Sequence, residues 1–341
     1  MFKVFAILAA LAGFVAPAMA EPALQHVTIA TAGVGMYYVT EYVAEDAGFF
    51  AHEGLQVDVA EVGSGTRQAA AIMGGSAELS AIGIEHLLDS AGRGGNLIAI
   101  SSCYDAFPMT ITLSNDAIKR TGIEPSMSLE ERVKRLKGLH LAITSPGSST
   151  DQFVRTLFLA RGMKPDDMVK LQPVSAGAPM LAALEQGSVD GFVWSSPYPE
   201  IAAAKGVGHV VIDPMSGDVP EFADVPYLTL ATSADTLAAK RPLLLAAVRA
   251  YQDAIRLLHQ DPDKARAAIR HRFATMDDAQ YNEIFNRFLR GVPESTTITE
   301  DQVRRAQTTL NLIERKPLDV KYTAVFSPDL AAQAAREASA K

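Results

Sequence analysis

The chain has 341 residues, 48% of them hydrophobic, and a formal net charge of −8. The acidic balance disfavours nonspecific nucleic-acid binding, and the length allows one large domain or two lobes of ordinary size. A single cysteine, Cys103, excludes an intramolecular disulfide and a cysteine-rich metal site.

At the N-terminus Lys3 precedes an apolar run, and Ala18-Met19-Ala20 has the small-x-small pattern of a cleavage site. Residues 1–20 are therefore expected to be a secretory signal peptide rather than a membrane anchor, for which the run is short. That segment holds Lys3 and no acid, so its loss takes the charge from −8 to −9. It contains no cysteine, so a lipid-anchored form is not indicated. Elsewhere the longest aliphatic run, Leu243 to Val248, is too short to span a bilayer. The mature protein is expected to be soluble and exported.

Val27-Thr28-Ile29-Ala30 reads as a strand, Thr31 to Gly35 as a loop and Met36 to Ala47 as a helix. Leu55 to Val59 alternates like a strand. Gly63-Ser64-Gly65-Thr66 leads into a helix that Gly74-Gly75 stops after Met73. Leu79 to Ile82, Glu85 to Ala91 and Leu97 to Ser101 continue as strand, helix, strand. Short strands alternating with helices predict an α/β architecture with a largely parallel sheet. The same order returns 112 residues later: Gly35 matches Gly147, Val57 matches Val169, Gly65 matches Gly177, Gly75 matches Gly187 and Glu78 matches Asp190. One constant offset predicts two lobes of related topology. Met109 to Leu113 and Tyr227 to Ala231 are strand-like, follow Pro108 and Pro226, and read as the connections between lobes. The expected division is 21–112 plus 227–341 for the first lobe and 113–226 for the second. After Asp235 the chain turns helical, at 242–259, 262–272, 277–289 and 299–313.

In such sheets ligands bind beyond the carboxyl ends of the strands. The stretch Ser145-Pro146-Gly147-Ser148-Ser149-Thr150 lies between a strand, Leu139 to Ile143, and a helix bearing Phe153, Val154, Leu157 and Phe158. Ser149 and Gln152 have capping-box spacing. The unpartnered amides and dipole of a helix start suit an oxyanion, so Ser148, Ser149 and Thr150 are candidate ligand residues; a capped turn that binds nothing is the alternative. Further candidates are Gly35, Met36 and Tyr37 at the first helix start, Ser64, Thr66 and Arg67 in the second glycine loop, and Glu85 and Trp194 at strand ends. Arg67 opposes the dipole of its own helix, a cost that a bound anion would offset. The seven histidines show no metal-ligand spacing, no nucleophile elbow or phosphate loop is present, and Gly33-Val34-Gly35 lacks the rest of a dinucleotide fingerprint. These loops offer binding chemistry more than catalysis.

Three segments carry a resemblance to a known family. Gly48-Phe-Phe-Ala-His-Glu-Gly54-Leu-Gln-Val57, Lys137-Gly-Leu-His-Leu-Ala-Ile143 with the following Pro146-Gly-Ser-Ser149, and Ala183-Leu-Glu-Gln-Gly187-Ser-Val-Asp190-Gly191 are similar to motifs of the solute-binding proteins of nitrate/sulfonate/taurine-type ABC transporters. The broader superfamily includes thiamine-pyrimidine-synthesis-like proteins. The resemblance implies a two-lobed periplasmic binding protein fold (type II, Venus flytrap), here with extra C-terminal helices. It implies a small-molecule ligand in the interlobe cleft, a membrane permease as partner, a periplasmic monomer, and neither cofactor, metal nor enzymatic activity. Where relatives often carry an acid before a proline, this chain has Trp194-Ser195-Ser196-Pro197. That departure disfavours an ammonium-bearing ligand such as taurine, although Glu85 could still supply a negative charge. The cysteine cluster of the pyrimidine-synthesising branch is absent. The expected ligand is a small organic anion, a sulfonate or carboxylate, with aromatic character resting on Trp194, Tyr37 and Tyr104. A pyrimidine-like or amine-containing ligand, an exported enzyme on the same fold, and a receptor that presents its ligand to a sensor are the alternatives.

Overall fold

The computed structural model describes residues 24–339, so the expected signal peptide lies outside the described residues. The chain first lays down β1 (Gln25–Thr31), α1 (Val39–Asp46), α2 (Phe49–His52), β2 (Leu55–Glu61), α3 (Gly65–Met73), β3 (Leu79–Gly83), α4 (Ile84–Gly92) and β4 (Leu97–Tyr104). It then forms β5 (Thr110–Ser114), α5 (Asn115–Thr121), α6 (Leu129–Arg135), β6 (His140–Ile143), α7 (Ser149–Leu159), α8 (Pro165–Met168), β7 (Lys170–Pro173), α9 (Gly177–Glu185), β8 (Gly191–Trp194), α10 (Tyr198–Ala204) and β9 (Gly208–Ile212). It ends with β10 (Leu228–Ser233), α11 (Ala234–Ala239), α12 (Arg241–Gln260), α13 (Pro262–Ile269), α14 (Asp278–Leu289), α15 (Glu300–Leu310) and α16 (Pro328–Ser339).

The strands form two separate sheets, ordered β2-β1-β3-β10-β4 and β7-β6-β8-β5-β9. In each sheet the first three strands are parallel and the fourth runs antiparallel to its neighbours. The 112-residue offset carries α3 onto α9 and the start of β3 onto that of β8. It also places Tyr37 and Tyr38, in the 3₁₀ turn Met36–Tyr38, opposite Ser149 and Thr150, the first residues of α7. The chain crosses between sheets after β4 and again before β10, so β5 and β10 are sheet strands as well as connections. Phe107, Phe153, Phe222 and Tyr227 cluster at these crossings, with the Phe107 and Phe222 rings stacked at 4.1 Å.

Three local expectations are revised. The first helix opens as a 3₁₀ turn, because Gly35 is extended and the Met36 amide donates to Ser196 O at 3.0 Å across the sheets. The cap of α7 is Ser148, not Ser149: Gly147, at φ +76, makes the turn one residue early and leaves Ser148 extended, its hydroxyl accepting from the Asp151 amide. A further helix, α16, follows those expected at the C-terminus. Cys103 is buried. Under the first sheet, α1 and α12 bury Glu41, which is 2% exposed and accepts one hydrogen bond, from the Tyr251 hydroxyl at 3.1 Å. Loss of solvation pushes its carboxyl up to about 8.

Candidate functional site

The carboxyl ends of the parallel strands in both sheets face one cleft. The first lobe brings Ala32, Tyr37, Tyr38, Gly65, Gln68 and Gly83; the second brings Thr144, Ser148, Ser149, Thr150 and Trp194; the crossing segments add Met109, Tyr227 and Leu228. The space between them is about 20 Å³, little more than one water's worth, so the two walls meet closely.

One wall is the start of α7. Thr150 Oγ1 accepts from the Thr144 amide at 2.9 Å and lies 2.8 Å from Ser148 Oγ, which fixes both side chains. Asp151 folds back, one oxygen accepting from the Gly147 amide at 2.8 Å and the other from Arg155 at 2.9 Å. The amides of Ser149 and Thr150 have no hydrogen-bond partner among the described residues, as expected for a helix N-terminus. The start of α3 faces the same space: Ser64 caps it by accepting from the Arg67 amide at 3.3 Å, leaving the Gly65 and Thr66 amides free of internal partners. Two helix N-termini from different sheets therefore converge on one cavity.

The opposite wall is aromatic and held rigidly. Tyr38 Oη accepts from the Ala32 amide at 3.0 Å, and the Tyr37 ring packs edge-on to Trp194 and to Tyr227, at 6.3 and 5.7 Å between centroids. Burial pushes the phenols of Tyr37, Tyr38 and Tyr227 well up, so all three are neutral hydroxyls at any ordinary pH. Gln68 Nε2 is shared between Ala30 O at 3.0 Å, Ser80 Oγ at 2.7 Å and Ala81 O at 2.9 Å, locking α3 onto β1 and β3.

Several bonds tie the lobes together around the cavity. The Trp194 indole donates to Val34 O at 3.2 Å, the Ser149 hydroxyl donates to Glu85 Oε1, and Ser145 Oγ donates to Thr66 Oγ1 at 3.3 Å. On the far side Arg287 of α14 grips both carboxylate oxygens of Asp213, at 2.7 and 2.6 Å. Gly63 permits the close approach: its φ is +82, and a Cβ there would stand 2.5 Å from Ser175 Oγ of the other lobe.

Of the residues singled out in the sequence, Tyr37, Ser148, Ser149, Thr150 and Trp194 line the cavity. Gly35, Met36 and Ser64 are buried beneath it, Gly35 donating to Tyr42 Oη at 3.3 Å. Thr66 is exposed at the mouth, and Arg67 is exposed with its guanidinium donating to Val62 O at 3.4 Å on its own loop. Glu85 stands just behind the cavity, bonded to Ser149. Sequence reasoning missed Gln68, Gly83, Met109, Thr144 and Tyr227. Gln68 carried a signal: a polar residue on the apolar face of a helix one turn after its cap.

The sequence model of the NMT1-like family matches residues 20–271. No curated protein sequence matches the chain. Among solved structures, a protein of Bordetella bronchiseptica RB50 is 24% identical with a TM-score of 0.80, over 92% of this chain and 98% of that one. The alkanesulfonate-binding protein SsuA of Xanthomonas axonopodis pv. citri, bound to MOPS, is 17% identical with a TM-score of 0.67, over 90% of this chain and 100% of that one. The periplasmic nitrate-binding protein NrtA of Synechocystis PCC 6803 is 16% identical with a TM-score of 0.66, over 92% and 89%. These likenesses show the fold, the two-lobed α/β fold of periplasmic binding proteins expected from the sequence. The family match covers most of the chain and includes both glycine loops and the α7 corner, and on that match the chain belongs to the NMT1-like family.

Proposed function

We propose that this protein is the extracytoplasmic solute-binding component of an ABC importer and holds a small organic anion, a sulfonate or carboxylate, in its interlobe cleft. The observation that carries the reading is the pair of helix N-termini, α3 and α7, that converge from different sheets on one cavity. Free amides at two helix starts hold an anion without burying a counter-charge. The sulfonate- and nitrate-binding proteins of the same fold support it.

The proposed lobes are 21–112 plus 227–341 and 113–226, with hinges near Leu113 and between Val207 and Leu228. A ligand larger than one water enters only when the lobes part, so binding is coupled to closure. The partner is a membrane permease, and the protein acts as a periplasmic monomer without catalysis. A second reading, an amine-containing or pyrimidine-like ligand, is favoured by one observation: among the described residues no Lys or Arg lines the cavity, while the Glu85 carboxylate stands beside Ser149.

A thermal-shift screen of sulfonates, carboxylates, nitrate and pyrimidines separates the readings. Ligand at 100 times its Kd stabilises the folded state by about 2.7 kcal/mol. Hits confined to anions support the first reading; hits confined to pyrimidines or amines overturn it in favour of the second.

A further inference from the structure

Gln68 of α3 is 2% exposed, yet its side chain lines the cleft cavity. Chemistry fixes which way its amide points. Nε2 lies 3.0 Å from Ala30 O and 2.9 Å from Ala81 O, and backbone carbonyls only accept. The Ser80 hydroxyl gives its proton to Ala30 O at 2.7 Å, so it too accepts from Nε2, at 2.7 Å. Turning the amide over would set its oxygen against two carbonyl oxygens. Ala30 lies on β1 and Ser80 and Ala81 on β3, so the first sheet alone holds the group. The other end of the amide is left over. Among the described residues Oε1 accepts no hydrogen bond, and it is not among the polar atoms sealed in the core without a partner.

We infer that Gln68 Oε1 is a specificity-determining acceptor, and that the cleft ligand is a small anion with a donor of its own, an O–H or N–H a few bonds from its acidic group. The inference rests on the anion reading above. The free amides at the starts of α3 and α7 supply donors for the acid. The other polar side chains of the wall are already engaged: the Thr144, Ser148 and Thr150 hydroxyls bond to one another, and the Trp194 indole donates to Val34 O. Gln68 adds a fixed acceptor to a cavity of about 20 Å³, so both kinds of group act on the same few ligand atoms. An anion with acceptors only sets oxygen against Oε1, or takes its water and returns nothing. A site built to pair with a substrate hydroxyl rejects the analogue that lacks it.

Calorimetry on two pairs of probes tests this: lactate against propanoate, and isethionate against ethanesulfonate. In the wild type the hydroxyl-bearing member of at least one pair should bind about tenfold tighter or more. Gln68→Met keeps the length and gives up the acceptor, and should narrow that gap to about twofold or less, with far-UV circular dichroism confirming the fold. A third probe, 2-methoxypropanoate, keeps the oxygen of lactate without its proton and should bind no better than propanoate; it tests donation in the wild type even where the variant does not fold. Equal affinities within both pairs overturn the inference. So does a preference that survives Gln68→Met, 2-methoxypropanoate binding as tightly as lactate, or no binding by any member of the pairs. In each of these cases the anion reading stands if the thermal screen returns an anion such as nitrate, and falls together with the inference if it returns none.

Discussion

Glu41 is a carboxylate in the first lobe's core whose burial is barely compensated, and replacing it should make the protein more stable. Its carboxyl is held at about 8 against an ordinary 4.5, mainly by loss of solvation, with the Tyr251 hydroxyl and Arg272 opposing the shift. A raised folded-state value favours the protonated form. Its contribution is therefore complete below pH 4.5 and is lost as the pH climbs through 8. At about 1.36 kcal/mol per pH unit, the loss reaches roughly 3 kcal/mol at pH 7 and approaches 5 kcal/mol above pH 8. Glu41→Gln keeps the shape and an acceptor for Tyr251 but has no proton to lose. The variant should match the wild type near pH 4 and gain steadily above it. With about 2.1 cal/mol/K of unfolding entropy per residue over a chain of this length, its Tm should stand roughly 5 °C higher at pH 7. Thermal unfolding by circular dichroism from pH 4 to 8 measures the difference. A gap between the two proteins that does not change with pH would refute the argument, because then the carboxyl does not titrate in this range.

Because Ser148 rather than Ser149 caps α7, the two serines should separate. Ser148→Ala should cost about 1 kcal/mol in stability, whereas Ser149→Ala should leave the melting temperature nearly unchanged and alter affinity for the anion that the screen identifies; calorimetry and melting curves on both variants give the comparison. Arg287→Ala strips Asp213 of the guanidinium nitrogen that donates to both of its oxygens and should destabilise the lobe contact by about 1.5–3 kcal/mol. Small-angle scattering should then show a larger radius of gyration for the ligand-free variant, and an unchanged radius would mean that α14 does not hold the lobes together.

Much of the fold was legible because glycines and short apolar runs punctuate βα units plainly. Gly65–Met73 and Leu79–Gly83 fall where Gly63-Ser64-Gly65 and Gly74-Gly75 put them, and the 112-residue offset maps α3 onto α9. The partnering of β5 and β10 was not legible, because strand pairing across 147 residues, as between Thr229 and Ile82, leaves no local trace. In the site, the α7 hydroxyls could be read from helix-start chemistry. Arg67 was placed by charge alone, yet a long flexible side chain at a loop end goes wherever its nearest acceptor lies, here Val62 O. Tyr227 could not be told from a core residue, since it is a core residue as well as cavity wall.

The placement of β10 also has a consequence for the order in which the two halves can form. Every strand of the second sheet lies between Thr110 and Ile212, so a chain emerging N-terminus first can complete that sheet as soon as Ile212 is out. The first sheet cannot be completed then. Among the described residues β4 hydrogen-bonds to no strand but β10, and β3 keeps an open edge until the same strand arrives, with the whole second lobe as the intervening loop. Closing so long a loop is entropically costly unless that loop has already become compact. The lobe encoded in the middle of the chain is thus the kinetic seed, and the lobe that begins first is finished last.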